Sequence, residues 1–367
     1  MSLEGHEPCG TPAPGRAQTA EGGCSAPSPS LPRLSERDAA RTVGITTTVP
    51  SELIFAAGLI PMDLNNLFIG SGVASDLVAE AEACGFPRNS CAWNKGVYAT
   101  ARRLGLRRVA AVVQGDCSNT HAMMEMLRAD GVDVVPFSYP YSPDDAEWMQ
   151  LSLERFARAL GASLDEGERW KKRLDEARAA TLRIDALCWR DDLASSEEQH
   201  LWTLSCSDFL GDPDSFRATA DALVSEAEGR EPRSPMLRLA LLGIPPICEG
   251  FFEFLDRHGA RVVFNETPRQ FAMPKPSDTL AEQYLNYTYP YDVFYRLADI
   301  REQIAERRVD GAIHYVQSFC YRHTQDTLIR RALNEPVLTI ECDRPAPLDL
   351  RTQTRIEAFI EMLQAAR

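Results

Sequence analysis

Short apolar runs alternate with longer amphipathic stretches along most of this chain, a pattern that predicts a parallel α/β architecture. Val49-Pro50-Ser51-Glu52 precedes Leu53-Ile54-Phe55-Ala56-Ala57. An early proline and an acid in the first turn ahead of an apolar run mark a helix start. The spacing predicts a second helix over residues 92–104 and a third over 120–129. Residues 107–113 and 132–137 are short, β-branched-rich runs that predict buried strands. Strand, helix, strand at this spacing is a βαβ unit, which places the strands side by side and parallel. From residue 143 to about 231 the pattern turns helical and highly charged, with no strand signal. Stretches such as 166–174 predict solvated amphipathic helices. Beyond a linker at Arg230-Glu231-Pro232-Arg233-Ser234-Pro235 the alternation resumes. Strands are predicted at 237–243, 261–264, 311–316 and 337–341, with helices at 248–258, 297–307, 324–333 and 352–366.

This organisation divides the chain into a tail (1–40), an N-terminal α/β domain (41–142), a helical region (143–232) and a C-terminal α/β domain (233–367). The fold class is α/β, with two parallel-sheet domains and an inserted helical region. The tail is dense in Gly, Pro, Ser and Ala, which predicts disorder. Hydrophobic residues make up 44% of the 367 positions, enough for more than one core. The net charge of −14 disfavours a grip on phosphate backbones and argues against nucleic acid as a partner. No run of eighteen apolar residues is present to span a membrane. The first 33 residues lack the apolar core of a secretory signal, so the expected location is the cytoplasm.

Ten cysteines are too many to pass over. In a reducing compartment they point to metal binding or catalysis before disulfides. Cys9 and Cys24 fall in the tail, which cannot preorganise a ligand. Cys188 and Cys206 fall in the helical region and read as packing. The strongest guide to the rest is placement, because sites in open α/β sheets form beyond the carboxyl ends of strands. Cys117 follows the 107–113 strand in Gln114-Gly115-Asp116-Cys117, and Cys320 follows the 311–316 strand in Gln317-Ser318-Phe319-Cys320. Cys91, in Arg88-Asn89-Ser90-Cys91, opens the 92–104 helix. A helix N-terminus favours thiolate, the metal-binding form. Three cysteines at equivalent positions predict one iron–sulfur site between the two α/β domains. Cys248 also follows a strand and is a candidate fourth ligand. Cys84 is a candidate for a larger cluster, and Cys342 ends the last strand as a candidate extra ligand or pocket wall. A Cys2His2 zinc site from Cys117, His121, Cys320 and His323 is the competing reading. It leaves Cys91 unused and lacks a C-x2-C knuckle. No phosphate-binding glycine loop supports a nucleotide cofactor.

These residues together resemble the D-component family of 2-hydroxyacyl-CoA dehydratases and benzoyl-CoA reductase subunits. The resemblance runs from about Thr46 to the C-terminus. It is carried by Val49-Pro50-Ser51-Glu52-Leu53-Ile54-Phe55-Ala56-Ala57-Gly58, Arg88-Asn89-Ser90-Cys91 with Lys95, Gly115-Asp116-Cys117, Gln317-Ser318-Phe319-Cys320 and Ile340-Glu341-Cys342-Asp343. It implies flavodoxin-like α/β domains and a [4Fe–4S] cluster on Cys91, Cys117 and Cys320, with the fourth iron position open. It further implies reductive radical dehydration of an acyl-CoA-like thioester, a lyase reaction of anaerobic metabolism. An ATP-dependent iron–sulfur activator would supply the electron, and a homodimeric or paralogous subunit would complete the enzyme. Glu52 is implied as an acid–base group, against the plainer reading that it stabilises its helix N-terminus. Some relatives are homodimeric reductases of small molecules with a double-cubane cluster, for which Cys84, Cys248 and Cys342 would be the extra ligands. A noncatalytic cluster-binding subunit is a third reading. Tyr284-Leu285-Asn286-Tyr287-Thr288-Tyr289-Pro290-Tyr291 departs from the family pattern by carrying aromatics, and the proline-rich tail is a second departure.

Overall fold

A computed structural model of the protein describes residues 31–233 and 236–367. Cys9, Cys24 and most of the expected tail lie outside the described residues. Residues 31–40 are described, and Glu36–Arg41 is a helix with Ser35 capping it through Asp38 N–H, where the sequence predicts only tail.

Among the described residues, eight strands form two separate sheets, each four-stranded and wholly parallel. The first sheet contains β1 (Thr42–Ile45), β2 (Ile60–Asp63), β3 (Arg108–Gln114) and β4 (Asp133–Ser138), in the order β2-β1-β3-β4. The second contains β5 (Leu237–Gly243), β6 (Ala260–Asn265), β7 (Gly311–Val316) and β8 (Val337–Glu341), in the order β6-β5-β7-β8. The two orders are the same permutation, the one found in flavodoxin-like sheets. In each, the strand order reverses at the first and third strands, and a crevice opens beyond their carboxyl ends.

β3 to β8 fall where the apolar runs predict them, while β1 and β2 carry no signal that the pattern could reveal. β1 is Thr-Val-Gly-Ile, too short to show a period. Its Gly44 is closely packed, since a Cβ there would lie 2.8 Å from a Leu106 methyl and 3.0 Å from a Leu64 methyl. β2 contains Pro61, which reads as a break. It is tolerated because β2 is an edge strand with no neighbour on its outer side.

The helical stretch departs from its predicted solvated character. It holds the helices Ala146–Leu160, Leu164–Trp189, Ser196–Leu204 and Pro213–Ala227. Leu164–Trp189, at 26 residues, braces both sheets. Near its middle, Arg178 donates to Glu52 Oε1 at 2.6 Å and to Gln283 Oε1 at 3.1 Å. Further on, Asp185 accepts from Arg307 at 2.8 and 2.7 Å. Gly167 lets this helix approach closely, for a Cβ there would sit 2.5 Å from Leu53. Arg178, Asp185, Glu52 and Arg307 are all buried. In sequence such residues are indistinguishable from surface charges. Each is buried because its partner arrives from a remote segment.

Glu52 therefore has a structural neighbourhood. Gln283 donates to its Oε1 at 2.8 Å and Tyr284 to its Oε2 at 2.7 Å. Burial pushes its carboxyl up, but Arg178's charge and these hydrogen bonds outweigh it and hold the group below the ordinary carboxylate range. A lowered folded-state value means that the stabilisation is present above the ordinary glutamate range and lost as pH falls through the folded value.

Breaking this pair leaves a buried charge without its partner. Glu52→Gln should destabilise the fold by about 3–5 kcal/mol. Arg178→Met should cost a comparable amount, and the double variant clearly less than their sum, as read by urea unfolding at pH 7. Additive costs would show that the pair is not coupled.

Candidate functional site

The crevices of both sheets open on one cavity of ≈ 470 Å³. Four loops reach it: Thr46 and Thr47 after β1, Gly115 to Thr120 after β3, Ile244 and Pro245 after β5, and Gln317 with Phe319 to Arg322 after β7. Each loop leaves one of the two strands at which its sheet's order reverses, so the cavity joins both switch points.

Cys91, Cys117 and Cys320 all line this cavity. Each immediately precedes a helix: Ala92–Leu104, Ser118–Ala129 and Tyr321–Thr324. In none does the side chain cap its helix, so each sulfur is left to other uses. Local sequence explains the placement. Gly115 holds φ at +101°, and a Cβ there would meet Pro290 at 2.7 Å and Tyr139 at 2.9 Å. Only glycine lets the β3 loop turn so tightly against the segment after Tyr287. Asp116 then receives Cys117 N–H at 2.7 Å and the Thr120 hydroxyl at 3.0 Å, which fixes the turn into the helix. On the other side, Asp343 accepts from Ser318 N at 2.7 Å and Ser318 Oγ at 2.7 Å, clamping the loop that carries Cys320. That gives the Ile340-Glu341-Cys342-Asp343 motif a physical role.

Gln317 links the two sides. Its Oε1 accepts from Cys91 Sγ at 3.2 Å and from Ala92 N at 3.0 Å. A side chain from the second α/β unit thus caps the helix that Cys91 opens in the first. Asn94, one turn into that helix, donates to Cys117 Sγ at 3.8 Å, and Thr120 Oγ1 lies 3.6 Å from the same sulfur.

The sequence-based expectation of ready thiolates meets a stronger effect. Burial pushes the Cys91 thiol up to about 11, and burial followed by the nearby Asp116 carboxyl raises Cys117. Desolvation outweighs the helix N-terminus here. These sulfurs are thiols near neutral pH, and binding a metal group would release protons.

Thiol sulfur is the donor type that iron–sulfur clusters take, and Cys91, Cys117 and Cys320 supply it at one cavity. Three thiols from separate segments share one cavity, and none is spent on capping. Among the described residues no three His, Cys, Asp or Glu side chains are grouped to hold a single metal ion. The zinc alternative also lacks its histidines at the cavity. His121 lies toward Glu125 at 3.9 Å, and His323 Nε2 is 3.3 Å from Glu341. Neither lines the cavity.

The other sequence candidates lie elsewhere. Cys248 and Cys342 are buried in the apolar core that spans both sheets, where Tyr315 Oη donates to Cys248 Sγ at 3.1 Å. A hydrogen bond from Cys248 holds the Cys342 thiol down to about 7. Cys84 accepts from Arg102 Nη1 at 2.7 Å. None of the three lines the cavity, and neither does Glu52. Cys188 and Cys206 are core residues, as their helical setting predicts.

Several cavity residues escaped the sequence reading. Asp63, buried, and Asp116, half-buried, bring carboxyls to the wall, each raised by desolvation. Their signal was there to read, since both sit at strand ends. Five buried polar atoms on lining residues have no protein partner: Thr46 Oγ1, Asn66 Oδ1, Trp93 Nε1, Gln317 Nε2 and Arg322 Nε. A buried donor or acceptor left unpaired costs about 1–3 kcal/mol.

Asp63 also reaches the helical layer, where its N–H donates to Asp208 Oδ2 at 2.7 Å. Burial first, and the Asp63 carboxylate second, push Asp208 up to about 7. A raised folded-state value contributes stability below the ordinary aspartate range that is lost as pH rises through the folded value. The melting temperature should therefore fall between about pH 4 and pH 7, measured by calorimetry, and Asp208→Asn should flatten that slope. An unchanged slope in the variant would assign the effect to another group.

No individual curated protein matches the chain. The model of the family described as 2-hydroxyglutaryl-CoA dehydratase, D-component, matches residues 46–363, which contain β2 to β8, the helical layer and the four strand-end loops at the cavity, and the chain belongs to that family.

Proposed function

We propose that this chain is an iron–sulfur protein in which Cys91, Cys117 and Cys320 hold a [4Fe–4S] cluster, and that it takes part in the reductive dehydration or reduction of an acyl-CoA thioester. One observation carries the reading: three thiols from three helix starts, drawn from both α/β units, open on a single cavity. When bound, the cluster would supply a low-potential electron and a Lewis-acidic iron position.

The chain's own residues supply the rest. Gln317, Asn94 and Thr120 orient the Cys91 and Cys117 sulfurs through the contacts above. Ile244, Pro245, Phe271 and Tyr289 give the cavity apolar and aromatic wall, which excludes water and strengthens electrostatic effects inside. Asp63 and Asp116, with raised carboxyls on the wall, are better placed than Glu52 to carry a proton to a leaving hydroxide. An ATP-dependent activator, a paralogous subunit or second copy, and a cytoplasmic setting belong to this proposal. The positions of Cys84, Cys248 and Cys342 away from the cavity favour a single cubane over a double-cubane reductase.

Anaerobic reconstitution of the full chain should give about four irons per chain with matching labile sulfide. Cys91→Ala, Cys117→Ala and Cys320→Ala should each lower iron content and change the EPR signal, while Cys188→Ala should leave both unchanged. About eight irons would favour the double-cubane reading. Stoichiometric zinc without labile sulfide would sink the cluster. An intact cluster that turns over no thioester with any activator would favour a noncatalytic cluster-binding subunit.

A further inference from the structure

Six arginines are buried among the described residues: Arg178, Arg261, Arg269, Arg296, Arg307 and Arg322. Five of them have a carboxylate partner. Arg178 pairs with Glu52, Arg261 with Asp192, Arg269 with Asp299, Arg296 with Glu266 and Arg307 with Asp185. Arg322, only 1% exposed, forms no ion pair with any described residue. It lies two residues beyond Cys320 and lines the cavity.

Its surroundings hold the guanidinium without neutralising it. The group lies 4.3 Å from the Tyr289 ring centre and 5.1 Å from that of Tyr321. Nη2 donates to Tyr289 O at 3.0 Å, and Nε has no partner. Two carboxyls lie near enough to feel its charge, and both are committed. Glu266 is bonded to Arg296 at 2.7 and 3.0 Å. Asp116 is occupied by Cys117 N–H and the Thr120 hydroxyl. A buried cation without a counter-charge is strongly unfavourable, so the fold is built around an anion that the chain itself does not provide.

We infer that Arg322 is the counter-cation of the anionic group held by Cys91, Cys117 and Cys320. The inference rests on the cluster reading and deepens it. Three thiolates and four sulfides outweigh the charge of four irons, so a cluster bound here carries net negative charge and gains more of it on reduction. A fixed guanidinium on the same cavity stabilises the reduced form more than the oxidised form. Arg322 is thereby a positioning and tuning residue that sets how readily the site accepts an electron. Its planar N–H edge, with Nε still unpaired, suits several acceptors at once.

The test is an EPR-monitored redox titration of anaerobically reconstituted full-length protein, with iron and sulfide measured on each sample. Arg322→Gln should keep wild-type iron and sulfide and shift the midpoint potential to more negative values. Arg322→Lys, which keeps the charge, should stay near wild type. A Gln variant with an intact cluster and an unshifted midpoint overturns the inference while the cluster reading stands. Wild-type protein that takes up no cluster overturns both. A Gln variant that does not fold shows that the contacts of Arg322 with Tyr289 and Tyr321 hold the empty fold, and moves the test to the lysine variant. In that case Arg322→Lys still reports independently: a midpoint far below wild type in a charge-conserving variant contradicts charge as the cause.

Discussion

The geometry of the cavity depends on one side chain, Gln317. Its carbonyl oxygen accepts from Ala92 N–H and from the Cys91 thiol, across 225 and 226 residues of sequence. The first turn of a helix has backbone donors with no partner inside the helix, and such donors are costly to bury. Here the acceptor comes from the other α/β unit, so the helix end is satisfied only when the two units are docked. The same bond sets Cys91 beside the loop of Cys320. Docking of the units and the placement of Cys91 beside that loop are one event.

Buried ion pairs reinforce that docking. The long helix Leu164–Trp189 reaches Glu52 in the first unit through Arg178 and Arg307 in the second through Asp185. Such pairs add little net stability over apolar packing, but they tolerate few alternative arrangements, because a misplaced unit would strand a charge. They therefore specify how the sheets meet more than how strongly. Arg322 breaks the rule that the other five buried arginines follow, and it does so on the cavity wall. A fold that pairs every other buried guanidinium has left the charge at this place to be met from outside.

Much of the architecture was legible in the pattern of apolar positions. β3, β4, β5, β7 and β8 and the helix Ala92–Leu104 lie within a residue or so of their predicted bounds, because each is a dense apolar run or a clear 3.6-residue period. The strand-end rule led to Cys117 and Cys320, and motif order led to the family that the comparison supports over residues 46–363. The short edge strand β2 and the four-residue β1 were silent, since neither is long enough to repeat a pattern. Glu52 stood out as an acid at a helix start. Its environment is decided by Arg178, Gln283 and Tyr284, which lie 126 to 232 positions away.

The sequence by itself determined the kinds of element, the parallel topology and the cysteines worth following, because periodicity, turn residues and strand ends are local properties. Tertiary structure alone decided which charges are buried and which cysteines line the cavity. It took Glu52, Cys248 and Cys342 off the cavity and brought Asp63, Asp116, Gln317 and Arg322 onto it. The physical reason is range. Hydrophobic patterning acts over one or two turns of chain, whereas desolvation, ion pairing and the shape of a cavity depend on segments that only the completed fold brings together.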